Sequence, residues 1–166
     1  QDSMWETPDR TTVNGYTTKG NLSSKNLSNL NKLQDLIDIE MKKYKEKFKN
    51  NNSLFIKNWP NKYFYYSWSN RLSKEGYNIP HIHPSGWLSG VFYLQVPRDI
   101  NNKEAGIEFS LHGDDYKIVN KDNPTVSLIP KVGDLVLFPS SLYHKTIPFK
   151  SSDERICIAF DINKIK

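Results

Sequence analysis

NIPHIHPSGWLSGVFYLQVP, residues 78–97, places His81 and His83 one residue apart, ahead of an apolar run rich in aromatic and β-branched side chains. Side chains alternate across a strand, so residues two apart project to the same side. His81 and His83 are therefore expected to face together. Two imidazolium ions at that separation would repel, whereas two neutral imidazoles can share one divalent metal. The stretch predicts a strand that carries half of a metal site.

A third ligand has to come from elsewhere in the chain. His144 is the leading candidate, because it closes GDLVLFPSSLYH (133–144), which reads as a turn, a buried strand, a proline and a short loop ending in histidine. His112 lies in FSLHGDD, a predicted turn, and reads as a surface residue. Arg155 opens RICIAFDI, eleven residues after His144. If that run is a strand, Arg155 and Cys157 face the same side. A guanidinium turned into a barrel interior needs an anion, since burying it unpaired is costly. Its planar fork suits a carboxylate. The alternative places Arg155 at an exposed strand start, paired with Asp153 or Glu154.

The remaining sequence supplies the frame. Residues 1–26 contain few apolar residues and many turn formers, and read as a loop-rich arm. Residues 27–49 predict a helix, because Leu27, Leu30, Leu33, Ile37, Met41, Tyr44 and Phe48 recur at helical spacing. Ser28 or Asn29 is the expected cap. From residue 53 to 162 the texture changes to a β core. SLFIKNW, KYFYYSWSN, SGVFYLQV, AGIEFSLHG, YKIVN, PTVSLI, GDLVLFPS and ERICIAFDI are short apolar runs separated by Gly, Pro, Asn and Asp. Such spacing predicts a β-sandwich or barrel with one helix packed outside, a mainly β single domain over residues 1–166. Loops near 101–103 and 114–115 are expected at the surface.

Composition narrows the classes of function. No run of about 18 apolar residues is present, so no membrane span is expected. The polar start QDSMWETPDR lacks a signal-peptide profile. A lone cysteine, Cys157, rules out an internal disulfide framework and suits a reducing, cytoplasmic setting. The net charge is +5; the lysines form one cluster at 42–49 and are otherwise scattered, and that cluster fits the solvated face of a helix and does not call for nucleic acid.

The two histidine motifs carry a resemblance. HIHPSGWLSGVFYL (81–94) and FPSSLYH (138–144), with an arginine about ten residues further on, resemble the iron(II)- and 2-oxoglutarate-dependent oxygenases. The match is to a prolyl-hydroxylase-like group that carries H-x-H-P…S-G-V-[YF]-Y-L and F-P-S-x-L-x-H, and TTVNGYTTKGNL (11–22) resembles the N-terminal region of that group. The resemblance implies a double-stranded β-helix, or jelly roll, with iron between its sheets and His81 and His144 as ligands. His83 stands where the usual two-His-one-carboxylate triad has its acid. The third ligand is then either His83 or a carboxylate such as Glu108. The resemblance further implies that Arg155 binds the distal carboxylate of 2-oxoglutarate, assisted by Tyr93, with Asn70 near the inner end of the cosubstrate. Cys157 stands where relatives often carry a hydroxyl.

On this reading the chain is a dioxygenase, expected to hydroxylate a small molecule or a protein. It would use Fe(II), 2-oxoglutarate and O2, with ascorbate as a stimulant. Nucleic acid and membrane are not expected partners, and a homo-oligomer is compatible with it. The competing readings are a cupin-type metalloenzyme that does not use 2-oxoglutarate, and a non-catalytic jelly-roll binding protein. Trp68 and Trp87 are candidates for the substrate mouth.

Overall fold

Residues 63–72 alternate Tyr, Tyr, Ser, Ser, Arg with Phe, Tyr, Trp, Asn, Leu, and this alternation organises the molecule. In a computed structural model of the chain, residues 11–25, 27–113, 117 and 123–165 are described, together with the backbone of 3–5. The elements are β1 (Ser3–Trp5), β2 (Thr12–Thr18), α1 (Ser28–Lys47), α2 (Leu54–Lys57), β3 (Tyr63–Asn78), β4 (Leu88–Gln95), β5 (Ile107–Ser110), β6 (Thr125–Leu128), β7 (Leu135–Pro139), β8 (Tyr143–Thr146) and β9 (Arg155–Lys164). Among the described residues they form a six-stranded sheet, β1-β2-β3-β9-β4-β7, and a three-stranded sheet, β6-β5-β8. All pairings are antiparallel. The architecture is mainly β, a jelly roll with an N-terminal packing helix.

The large sheet has two different faces. β9 lies at its centre, with Trp68↔Ala159 and Asn70↔Cys157 on one side and Val91↔Ala159 and Tyr93↔Cys157 on the other. These residues, with Arg155 and Asp161, look toward the small sheet. Val91, Tyr93, Ile107, Phe109, Phe138 and Cys157 form a core that joins the two sheets. The opposite face packs on α1, through Leu33, Ile37 and Met41 against Leu88, Phe160 and Ile162. Tyr63 and Tyr65 also reach α1, both donating to Asp38. Gly90 has to be glycine, because any Cβ there would collide with the Phe160 ring.

Several local expectations differ from what is seen. Residues 12–18, expected in a loop-rich arm, form β2, because pairing with β3 supplies hydrogen bonds that composition does not reveal. Residues 54–57, read as a strand, form the short helix α2, capped by the Ser53 side chain. Helix α1 has Leu27 at its N-cap and no side-chain capping bond, so neither Ser28 nor Asn29 caps it. The 101–103 loop is exposed. The 114–115 loop, and the YKIVN run apart from Lys117, lie outside the described residues. No helix among the described residues is long and apolar enough to cross a membrane.

Candidate metal centre and cosubstrate pocket

Pro80 and Pro84 bracket the two histidines and lack the N–H groups that a strand ladder requires. His81–Pro84 is accordingly not a regular strand, contrary to the expectation from spacing. His81 makes an isolated bridge to His144, each backbone N–H donating to the other's carbonyl at 3.0 Å. His83 is tied by its N–H to the Ser140 carbonyl, 2.9 Å away. His144 lies within β8, not at the end of a loop. These backbone bonds still bring the three rings together. Centroid separations are 4.2 Å for His81–His144, 4.9 Å for His83–His144 and 5.2 Å for His81–His83. One nitrogen from each lies within 4.8 Å of the others.

The second nitrogen of each ring is occupied. His81 Nδ1 is 2.7 Å from the Ile79 carbonyl, and His144 Nδ1 is 3.0 Å from the Leu142 carbonyl. His83 Nδ1 lies 2.6 Å from Asp161 Oδ1. A carbonyl or carboxylate can only accept, so each Nδ1 carries a hydrogen, and in the neutral ring that tautomer leaves Nε2 as the nitrogen that can bind a metal. Burial lowers the pKa of His81 from 6.5 to about 4, reinforced by the neighbouring His83. Burial, then His81 and His83, lowers that of His144 to about 3. Burial thus keeps His81 and His144 neutral, and three imidazoles that each place one nitrogen within 4.8 Å of the others fit a divalent transition metal.

Glu108 does not join this set. It lies opposite Lys145 in the β5–β8 pair, whereas Phe109 lies opposite His144. Adjacent residues of a strand face opposite sides, so Glu108 projects away from the cluster. It pairs with Lys145 at 2.9 Å and accepts from Ser127, and its carboxyl is held below the ordinary range by that lysine. His112 lies just past β5, outside the cluster.

A cavity of about 240 Å³ runs from the imidazoles between the sheets to Arg155. Arg155 is 2% exposed. Its Nε donates to the Ala105 carbonyl at 3.0 Å, Nη2 to the Tyr93 hydroxyl at 3.2 Å, and Nη1 makes a long contact of 3.6 Å to Cys157 Sγ. Neither of the acids expected as alternatives reaches it, because Asp153 pairs with Arg98 and Glu154 with Arg71. No carboxylate among the described residues neutralises this buried cation, so the pocket fits an anionic ligand. Tyr93, 0% exposed, does not line the cavity, and its ring sits 4.9 Å from the guanidinium. It holds Arg155 from behind. Asn70 lines the cavity, donating to the hydroxyls of Thr12 and Thr17, while its buried Oδ1 has no partner among the described residues. An orphaned polar atom in a cavity wall also fits a ligand.

Sequence reasoning missed Thr12, Thr17, Ser89, Ser140 and Asp161. The signal for Asp161 was available, since the alternation that puts Arg155 and Cys157 on one face continues through 159 to 161. Of the two tryptophans, Trp68 lies 5.4 Å from His83 and borders the cavity. Trp87 stacks on Phe55 at 5.2 Å on the helix side and plays no part in the mouth.

Comparison with known proteins bears on this geometry. Residues 66–161 match a family model described as "Putative 2OG-Fe(II) oxygenase". The chain belongs to the 2OG-Fe(II) oxygenase family. Membership makes it an enzyme whose cofactor is Fe(II) and whose cosubstrates are 2-oxoglutarate and O2. A Pseudomonas putida prolyl-4-hydroxylase is similar over 97% of this chain and 77% of its own, at 12% identity and TM-score 0.61. HygX from Streptomyces hygroscopicus, solved with nickel and 2-oxoglutarate bound, is similar over 96% and 73%, at 14% identity and TM-score 0.60. A 2OG-Fe(II) oxygenase family oxidoreductase from Burkholderia pseudomallei matches at 17% identity and TM-score 0.47, over 61% of this chain and only 45% of its own length. At these identities the solved structures speak for the fold alone. No curated protein sequence matches the chain.

Proposed function

We propose that this oxygenase is a hydroxylase in which His81, His83 and His144 hold Fe(II) through Nε2 and Arg155 binds the distal carboxylate of 2-oxoglutarate. The single observation that carries this reading is the shared cavity, with three converging imidazoles at one end and a buried guanidinium without a carboxylate partner at the other. A metal site working without a diacid would leave Arg155 with no counter-charge. The chemistry supplied when metal, 2-oxoglutarate and O2 are bound is oxidative decarboxylation coupled to oxygen insertion into a C–H bond of the substrate.

The residues of the chain bind and orient. Arg155 fixes the far end of the cosubstrate, and its guanidinium fork is held from behind by the Ala105 carbonyl and the Tyr93 hydroxyl. Thr12, Thr17 and Asn70 offer hydrogen bonds along the cavity wall. Val91, Ile107 and Ala159 line it with apolar surface that limits the water around the reacting atoms. The substrate approaches by an outer groove of about 470 Å³, which shares Trp68 and His83 with the inner cavity and carries Phe64 and Tyr66 along β3. That groove suits a small molecule or a side chain of a protein. Residues 1–166 act as one oxygenase domain, and the single buried thiol, Cys157, suits a cytoplasmic setting.

The test is turnover without added substrate. Fe(II), ascorbate and 2-oxoglutarate should yield succinate, and Arg155→Ala should abolish it. Iron-independent behaviour, or an Arg155→Ala variant with undiminished 2-oxoglutarate binding, would overturn the assignment.

A further inference from the structure

Three acceptors hold the three Nδ1 atoms, and only one of them is charged. His81 and His144 donate to backbone carbonyls, whereas His83 donates to Asp161. Asp161 is 8% exposed and is itself held in place. Ser89, fully buried, donates to Asp161 Oδ1 at 2.6 Å and lies 3.0 Å from His83 Nδ1 and 2.8 Å from Ser140 Oγ. The register explains the arrangement, since Tyr66, Asp161 and Ser89 stand side by side on the inner face of β3, β9 and β4. No Lys or Arg side chain pairs with this carboxylate among the described residues. His83 occupies the position at which the resemblance leads one to expect an acidic ligand.

We propose that Asp161 is the anionic member of the metal site, placed one bond further out than usual and acting through the imidazole of His83. The carboxylate fixes the His83 ring with Nε2 inward and increases its donor strength, as outer-sphere carboxylates do for metal-bound histidines. It thereby returns to the centre part of the negative charge lost when a ligand carboxylate gives way to a neutral ring. Ser89 keeps Asp161 in register, and Ser140 anchors Ser89. Asp161 is a positioning residue, and the inference rests on the oxygenase reading only in taking His83 as a ligand.

The test measures the affinity of the metal-free full chain for Fe(II), titrated anaerobically against a chromophoric chelator. Asp161→Asn, nearly isosteric, should weaken binding about 10- to 100-fold. Ser89→Ala should weaken it less, in the same direction. In a His83→Asp background, which places a carboxylate among the ligands, Asp161→Asn should change affinity less than about threefold or tighten it, because Asp161 then has no ring to hold and faces a like charge. Unchanged affinity in the single variant, or the same loss in both backgrounds, would overturn the proposal. A measurement needing no variant uses the wild-type protein with Zn(II) and nitrogen-detected imidazole NMR. His83 should carry its proton on Nδ1 and coordinate through Nε2, and coordination through Nδ1 would overturn the idea. Wild-type protein that binds Fe(II) but not 2-oxoglutarate would sink the oxygenase reading and leave the Asp161 comparison intact. Failure to bind Fe(II) at all would overturn both.

Discussion

Arg155 is a full positive charge with a tyrosine hydroxyl, a carbonyl and a thiol for company. Supplying a dicarboxylate there should be worth far more than a surface ion pair. Arg155→Ala is expected to weaken 2-oxoglutarate binding by about 2–5 kcal/mol, roughly 30-fold to several thousand-fold, while Fe(II) affinity stays close to wild type. Titration calorimetry with a redox-inert metal checks this. Tyr93→Phe removes one hydrogen bond to the guanidinium and leaves the ring under it, so a loss of about 0.5–1.5 kcal/mol in 2-oxoglutarate binding is expected in the same assay. The histidines predict a pH effect. His81 and His144 have folded pKa values of about 4 and 3, below 6.5. Lowered folded values mean that the unfolded chain takes up protons first as pH falls. The metal-free protein should therefore lose thermal stability between about pH 6.5 and 4, and His144→Gln should flatten that slope. A melting temperature independent of pH across this window would contradict the burial of neutral rings.

At the scale of elements, helix α1 buttresses the sheet that carries the site without touching it. Leu33, Ile37 and Met41 are its buried residues, against Leu88, Phe160 and Ile162 on the outer face of β4 and β9. Ile37→Ala should cost about 2–4 kcal/mol in denaturant unfolding, with 2-oxoglutarate affinity of the folded protein little changed. The helix was legible because its apolar residues repeat at a period no other element uses. Strands β3, β4, β7 and β9 were legible from their aromatic and β-branched runs. Strand β2 was not, because TTVNGYTT is rich in Thr, Asn and Gly and belongs to a strand only through its partner β3. Residues 54–57 misled for the converse reason, since a run of three apolar residues suits either a strand or one helical turn, and the Ser53 cap decided for the helix.

For the whole molecule, ligands that bind only the folded state shift its stability by mass action. A divalent metal at about 100 times its dissociation constant should add ~2.7 kcal/mol, a rise of about 5–10 °C in Tm for a domain of this size. 2-Oxoglutarate should add a further increment only when metal is present, and Arg155→Ala should remove that second increment alone. Differential scanning fluorimetry with each addition separates the two. This stepwise pattern reflects the layout between the sheets, with the imidazoles at one end of the cavity and the guanidinium at the other.

The sequence by itself determined the chemistry at hand: a pair of histidines at spacing two, a third after F-P-S-S-L-Y, and an arginine at the head of an apolar run. It also determined the mainly β class and the packing helix, since periodicity is a local property that survives without a partner. Tertiary structure alone decided which acid belongs where. Glu108 and Asp161 are both strand carboxylates, and although alternation along β9 puts Asp161 on the face of Arg155, no local feature says which acid meets the histidines. The register of β5 against β8 turns Glu108 outward to Lys145, and the register of β9 against β4 turns Asp161 inward to His83 and Ser89. A shift of one residue in either pairing would exchange the faces, because side chains alternate with period two and pairing is fixed by the opposite strand.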